Sequence, residues 1–263
     1  MPSSNYVVIT WYQVSLTLLC CCAAAILLAW LRTKLESQLL WALTRMVVQL
    51  SAIGFVLQWI FGWNHIGITL SWILLSTLIA SLAAIKRIRR HFRYDRIVAI
   101  VAVAGSSWPI LVAALLIIRP QPITSAAFAI PLLGMILGNS LNAISLAIDR
   151  FRDGLHQDRE RVENLLTLGA SSWEASREIA ADAIRVGLLP MINTMTVTGV
   201  VSLPGMMTGQ LLSGISPLEA VKYQIVILAL IATTTTVGCL LAVWLTFRQS
   251  FSKWHAIVPE VRS

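Results

Sequence analysis

Two methionines and two hydroxyl side chains lie close together in a segment that is otherwise apolar, Ser202-Leu203-Pro204-Gly205-Met206-Met207-Thr208-Gly209. Proline lacks a backbone N–H and glycine lacks a side chain, so Pro204 and Gly205 predict a bend or break in a helix. Such breaks inside membrane segments often mark the substrate site of a transporter. Thioether sulfurs suit soft metal ions, which makes Met206 and Met207 candidate metal ligands. The alternative is a proline kink with methionine as core filler.

Other polar or soft side chains lie within neighbouring apolar segments. Gly134-x-x-x-Gly138 and Gly205-x-x-x-Gly209 are patterns that permit close contact between helices. The amides could form hydrogen bonds between helices or contact a substrate. The predicted substrate path consists of Met206, Met207, Asn139, Asn142, Met195 and Gln210, with the helix break at Pro204, Gly205 and Gly209.

The composition indicates an all-α polytopic membrane protein. Of 263 residues, 57% are hydrophobic and 12% charged, whereas about a quarter are charged in soluble domains. The apolar residues form long blocks that reach the roughly 20 residues needed to cross the hydrocarbon core. Seven transmembrane helices are predicted, at residues 7–31, 39–60, 66–85, 97–118, 124–148, 188–212 and 221–247.

The distribution of basic residues predicts the orientation. The net charge of +8 could suggest nucleic acid, but the connection at 86–96 concentrates Lys86, Arg87, Arg89, Arg90, Arg93 and Arg96. With seven spans, only Arg119 and Lys222 of the 20 basic residues fall on the outer side. The positive-inside rule therefore places the N-terminus outside and the C-terminus inside a plasma membrane, and no nucleic-acid partner is expected.

The segment 149–187 is dense in charge and is predicted to be cytoplasmic, within a single transmembrane domain that covers 1–263. A first helix is expected to end at Leu168-Gly169-Ala170, because Gly169 can adopt a left-handed cap. Ser171 and Glu174 flank Trp173 in a capping-box pattern that starts a second helix. This elbow between spans five and six requires a protein partner or contact with its own membrane domain, unless it is only a solvated connector.

The chemistry that the sequence lacks also limits its function. There is no Gly-x-x-x-x-Gly-Lys-Ser/Thr loop, no His-Glu-x-x-His and no Gly-x-Ser-x-Gly, so the chain is not expected to be an enzyme. Spans one, three, four and five have no acidic residue at depth, although ion-driven carriers bind their coupling ion with such groups. Energy for transport would then come from a separate ATPase that binds the 149–187 elbow.

The segment 200–209, followed by Gly214-Ile215-Ser216-Pro217 and Ala220-Val221-Lys222-Tyr223-Gln224-Ile225, resembles the iron-export (FetB-like) ABC transporter permeases. Plant aluminium-tolerance permeases belong to the same family. The resemblance implies a permease subunit that pairs with a cytoplasmic ATP-binding subunit, which would hold ATP and Mg, while this chain holds no cofactor. It also implies a homodimer with two ATPases in a bacterial inner membrane.

The resemblance extends to the coupling motif of bacterial ABC permeases, which begins Glu-Ala-Ala and has glycine six residues after the glutamate. Glu163 and Gly169 match it, whereas Asn164 and Leu165 replace the alanines. The residues implied in ATPase coupling are Glu163, Leu168, Gly169, Ala170 and Trp173. The alternatives are another metal ion or a nucleotide sugar as substrate, an ion-driven carrier, or a membrane-embedded interaction protein without an ATPase.

Overall fold

The structure is a computed structural model that describes residues 9–63, 65–88, 94–121, 125–252 and 256–258. Within these ranges all regular structure is helical. The helices are α1 (Trp11–Trp30), α2 (Glu36–Trp63), α3 (Ile66–Ile85), α4 (Asp95–Ile118), α5 (Ala126–Gln157), α6 (Arg159–Thr167), α7 (Ser172–Val197), α8 (Gly205–Leu212) and α9 (Pro217–Ser250).

Six of the described helices are long and apolar enough to cross a membrane, namely α1 to α5 and α9. The chain is therefore a multi-pass membrane protein, as its composition predicts. The predicted span 188–212 is not one helix, because it is divided between the last turns of α7, an irregular stretch, and α8. The predicted span ends at residues 7 and 124, and Arg89, Arg90 and Arg93, lie outside the described residues.

Contacts between the long helices fix their directions. Gly154 of α5 lies against Ile179 of α7, while Gly187 further along α7 lies against Ala143 earlier in α5, so these helices are antiparallel. Gly187 also meets Cys239 of α9, while Trp173 at the start of α7 meets Phe247 further along α9, so α7 and α9 are antiparallel as well. It follows that α5 and α9 run in the same direction, and the α7–α8 segment returns the chain from the end of α5 to the start of α9.

The core lies among α3, α4, α5, α7 and α9. Ala99, Ala102 and Ala114 of α4 are fully buried, as is Ile136 of α5, so small side chains let the helices approach closely. In contrast, α1 and most of α2 lie at the periphery, and Ile60 near the end of α2 joins them to the start of α5. Their outward apolar side chains are those expected to face lipid.

Close helix packing within this chain is not found at the predicted glycine pairs. An added Cβ at Gly134, Gly138, Gly205 or Gly209 meets no atom within 4 Å. The close approaches are at Gly154 and Gly187, where an added Cβ would lie 2.7 Å from the Ile179 side chain and 2.9 Å from the carbonyl oxygen of Ala143.

Helix α5 extends past residue 149, where the predicted cytoplasmic segment begins, and continues to Gln157. It buries Phe151 and Leu155.

Candidate functional site

The predicted helix break extends over seven residues, from Thr198 to Pro204. Helix α7 ends at Val197, and Pro204 is the N-cap of α8. Gly199 has a φ of +90°, a left-handed conformation that favours glycine. The N–H of Gly199 donates to the carbonyl oxygen of Ser202 at 2.9 Å, which satisfies part of the freed backbone.

The methionines proposed for the path differ in their surroundings. Met207 is buried, whereas Met206 is half-buried and packs against the main apolar core. Met195, near the end of α7, is exposed. Gln210 follows Met207 by three residues, so both lie on one face of α8, and α9 is the helix against which α8 packs most extensively.

Asn139 and Asn142 lie on an exposed face of α5 that also carries Gly134 and Gly138. The Nδ2 of Asn139 donates to the carbonyl oxygen of Met135 at 2.8 Å. Small and polar residues are poorly suited to lipid, so this face of α5 is suited to a second protein surface or a wet path. The structure gives no direct contact between these asparagines and Met206 or Met207.

Asn142 has a partner that the sequence did not indicate. The Nη1 of Arg87, just after α3, donates to the Oδ1 of Asn142. The contact lies beside a cavity of about 310 Å³, lined by Arg87, Asn142, Ser145, Leu146, Asp149 and Pro190. The Arg87 guanidinium therefore lies against the polar face of α5, at the end of that face nearer Asp149.

The elbow between α6 and α7 is closed by two capping motifs. Gly169 has a φ of +94°, and the N–H groups of Gly169 and Ala170 donate to the carbonyl oxygens of Leu166 and Leu165, at 3.1 and 3.0 Å. This is the Schellman pattern, and it satisfies carbonyls at the end of α6. The predicted tight turn is therefore present.

The second motif is the predicted capping box at the start of α7. The N–H of Glu174 donates to Oγ of Ser171 at 3.3 Å, and the N–H of Ser171 donates to Oε2 of Glu174 at 2.8 Å. The hydroxyl of Ser171 and then its backbone N–H hold the pKa of Glu174 below its ordinary value. Both bonds favour the ionised carboxylate, which also suits a helix N-terminus.

The elbow packs against its own membrane domain but leaves its tip exposed. Val162 of α6 is fully buried beside Ile179 of α7, and the Trp173 ring meets Phe247 of α9 edge to face, with centroids 5.4 Å apart. Leu168 at the tip is 84% exposed. Glu163 pairs with Arg159 at 2.8 Å on an exposed face. The elbow is thus fixed at its base and carries an exposed apolar side chain at its tip.

A buried ion pair joins α4 to α5 near the elbow, and no local pattern in the sequence predicted it. The guanidinium of Arg152 donates to both carboxylate oxygens of Asp95, at 3.1 and 2.6 Å, and the two side chains are 1% and 5% exposed. The charge pattern of the sequence predicted that Arg152 lies in the cytoplasmic segment 149–187. Only the antiparallel packing of α4 on α5 brings it to Asp95.

Within the described ranges, no three His, Cys, Asp or Glu side chains come together as a metal site. The sulfurs of Met206 and Met207 are therefore not joined by a carboxylate or thiolate cluster in this part of the chain. Neutral ligands of this kind bind metal ions weakly. Weak binding is suited to a residue that contacts a substrate briefly during transport. It is not suited to a permanently bound metal ion.

Comparison with known proteins agrees with this membrane architecture. The sequence profile of UPF0014, described as an uncharacterised protein family, matches residues 11–251. The chain therefore belongs to the UPF0014 family of multi-pass membrane proteins. No solved structure matches it.

Three relatives match over most of their length. The chain is 35% identical to the UPF0014 membrane protein slr1647 of Synechocystis, over 88% of this chain and 90% of the relative. It is 32% identical to the probable iron export permease protein FetB of Escherichia coli, over 85% of each. It is 31% identical to the protein ALUMINUM SENSITIVE 3 of Arabidopsis thaliana, over 87% of this chain and 83% of the relative.

Proposed function

We propose that this chain is the permease subunit of an ABC transporter, and that it exports iron or another metal ion with energy from a separate ATP-binding subunit. The exposed, doubly capped elbow between α6 and α7 is the observation that carries this proposal. A rigid helical turn with an apolar tip, set on the ends of α5, α7 and α9, is suited to transmit motion from a cytoplasmic partner. The similarity to the probable iron export permease FetB supports the same function.

Seven crossings, with the N-terminus outside and the C-terminus inside, fit this function. The parallel directions of α5 and α9 support a return crossing by the α7–α8 segment. Basic side chains collect at the opposite end from Arg119 and Lys222, at Arg32, Lys34, Lys86, Arg96 and Arg248. By the positive-inside rule, the end with the elbow is cytoplasmic, where ATP is available.

A homodimer supplies the two membrane halves that ABC transporters need. The exposed face of α5, with Gly134 and Asn139, and the exposed stretch at Val200 and Val201 are the surfaces that we assign to the second copy. Val200 is 92% exposed. The path then lies near the interface, along the asparagines of α5 and the helix break. Two copies of this chain and two ATPases form the complete transporter, with ATP and Mg bound only by the ATPases.

The coupling step follows from the connections of the elbow. ATP binding brings the ATPases together and displaces the tip at Leu168 and Gly169. Because Trp173 packs on α9 and Val162 packs beside α7, the displacement tilts α7 and changes the break at Pro204. Arg87 moves away from Asn142 when the path opens to the cytoplasm.

Transport into inside-out membrane vesicles tests the proposal. Vesicles from cells that express the chain and its ATPase should accumulate ferrous iron when ATP is added, and vesicles that lack the chain should not. A non-hydrolysable ATP analogue should abolish accumulation, whereas a protonophore should leave it nearly unchanged. If iron accumulation is lost with the protonophore and persists with the ATP analogue, the chain is instead an ion-driven carrier. A nucleotide sugar in place of iron is the alternative substrate for the same assay.

A further inference from the structure

The region where α8 packs on α9 contains two buried oxygen atoms that accept no hydrogen bond. They are Oε1 of Gln210 in α8 and Oε1 of Gln224 in α9, and neither has a partner in the described part of the chain. Gln224 is 7% exposed as a whole side chain. A buried carbonyl oxygen without a donor is costly, so these two oxygens are available to bind a ligand.

The geometry of the hairpin brings these side chains to one interface. Helix α8 has eight residues and therefore spans about 12 Å. Only residues 213–216 separate it from α9, so α8 lies along the first two or three turns of α9. The buried residues in residues 217–225 of α9 are Ala220 and Gln224. Gln224 therefore lies on the inward side of α9, within the turns along which α8 packs.

The facing side of α8 supplies the remaining groups. Met207 is buried and precedes Gln210 by three residues, which places both on the side of α8 that packs inward. The nearby charged residues of α9 are neutralised elsewhere, because Lys222 pairs with Glu219 at 2.6 Å on an exposed face. The interface thus offers two amide oxygens and a thioether sulfur, and all three are acceptors without charge.

The unpartnered atoms at this interface are acceptors, which suit a cation and do not suit an anion. We propose that Gln210, Gln224 and Met207 form a cation site between α8 and α9, which a divalent transition-metal ion occupies after losing part of its water. The inference rests on the proposed function, since it assigns the cargo a binding point beside the helix break. It adds Gln224, which the sequence-based path did not include. The neutral ligands make binding weak, so the ion can leave.

Metal binding to the purified full-length chain tests the site without transport. The chain, in lipid nanodiscs and without oxygen, is titrated with ferrous iron alone, and in parallel with manganese and zinc, while its melting temperature is recorded. Wild type should be stabilised by the metal. Gln224→Leu should raise the metal-free melting temperature, because it removes an unpaired buried acceptor, and should weaken metal binding by about tenfold or more. Gln224→Glu should strengthen binding.

Gln249 offers a matched control. It is the same residue type in the same helix, and its amide nitrogen and oxygen are both buried without partners, but it lies near the opposite end of α9. Gln249→Leu should leave metal stabilisation unchanged. The inference is overturned if Gln224→Leu binds metal as wild type does, or if Gln249→Leu loses binding equally.

The failures of the two proposals are distinguishable. If ATP-dependent iron accumulation occurs and Gln224→Leu leaves both accumulation and metal stabilisation intact, the site is wrong and the permease function stands. If no metal stabilises the wild type at millimolar concentration, the site is wrong and a metal cargo loses its support. Recovery of an ATPase with the chain would still establish the transporter class in that case.

Discussion

The two ends of this molecule are built differently. At the end that carries the elbow, α5, α6, α7 and α9 bury Phe151 and Val162 completely, and the Arg152–Asp95 ion pair joins α5 to α4. At the opposite end, the break after α7 leaves Val200 and Val201 92% and 79% exposed. The elbow end is closed by its own contacts, whereas the break is open.

This difference indicates which part of the chain transmits motion and which part contacts the substrate. A closed elbow end moves as one body, because its helices are joined by buried contacts that do not deform independently. The break can change its contacts, since Val200 and Val201 are largely exposed. We infer that the elbow end transmits motion and that the break is completed by a second copy and by the cargo.

The largest effect is expected from breaking the buried pair. Arg152→Ala removes the guanidinium that donates to both oxygens of the buried Asp95 carboxylate, which should destabilise the fold by about 3–5 kcal/mol. Arg150→Ala is the control, because Arg150 pairs with Asp182 at 2.6 Å in an exposed position and should cost at most about 1 kcal/mol. Thermal unfolding in detergent measures both. Equal losses of stability in Arg152→Ala and Arg150→Ala would contradict a closed elbow end.

A smaller effect is expected at Gly187, where α7 packs closely against both α5 and α9. Gly187→Ala places a Cβ 2.9 Å from both the Ala143 carbonyl oxygen and the Cys239 sulfur, and such overpacking should cost about 1–3 kcal/mol. Gly134→Ala adds a Cβ where no atom lies within 4 Å. It should leave the melting temperature of the monomer unchanged or raise it. If Gly134→Ala lowered the melting temperature more than Gly187→Ala, the tight helix interface would not be at Gly187.

The capping box should contribute a still smaller, pH-dependent stability. Because the Ser171 hydroxyl lowers the folded pKa of Glu174, its contribution is present above the ordinary glutamate pKa of about 4.3. It is lost as the pH falls through the lower folded value. Ser171→Ala should lower the melting temperature by a few degrees at pH 7. The difference from wild type should shrink in acid, and a constant difference would exclude the ionised carboxylate as its cause.

The smallest effect on stability is expected at the exposed break that follows α7. Val200→Ser should change the free energy of unfolding by less than about 0.5 kcal/mol, because exposed substitutions rarely do more. It should nevertheless weaken the dimer, which light scattering in nanodiscs or mild detergent would detect. Leu218→Ser, at another exposed apolar position, is the control. If the wild type is monomeric under every mild condition, the second copy does not cover Val200.

Local signals in the sequence were sufficient for much of this structure. The apolar blocks predicted the membrane helices, and the Gly169 turn and the Ser171–Glu174 box depend on residues within a few positions of one another. The helix break at Pro204 was also indicated, although the irregular backbone begins at Thr198. Gly199 ends α7 by adopting a positive φ, and its isolated position in the sequence did not reveal this.

The contacts between distant residues could not be predicted. The pairing of Arg152 with Asp95, and of Arg87 with Asn142, depends on which faces of three helices meet. Glycine spacing did not locate the close contacts within the chain for the same reason: Gly134 and Gly138 follow a known packing pattern but meet no neighbour in this chain, whereas Gly154 and Gly187 follow no such pattern and pack closely. A single sequence specifies its helices locally, but their rotation about their axes is decided by the whole core.

The most direct test of the ABC assignment is recovery of an ATP-binding subunit through the elbow. The tagged chain is purified from native membranes as wild type, Leu168→Asp or Leu218→Asp. The two leucines are 84% and 76% exposed, so neither change should disturb folding. We predict that an ATPase is recovered with wild type and Leu218→Asp and is lost with Leu168→Asp. Absence of any ATPase with wild type, even after cross-linking, would contradict the ABC permease account.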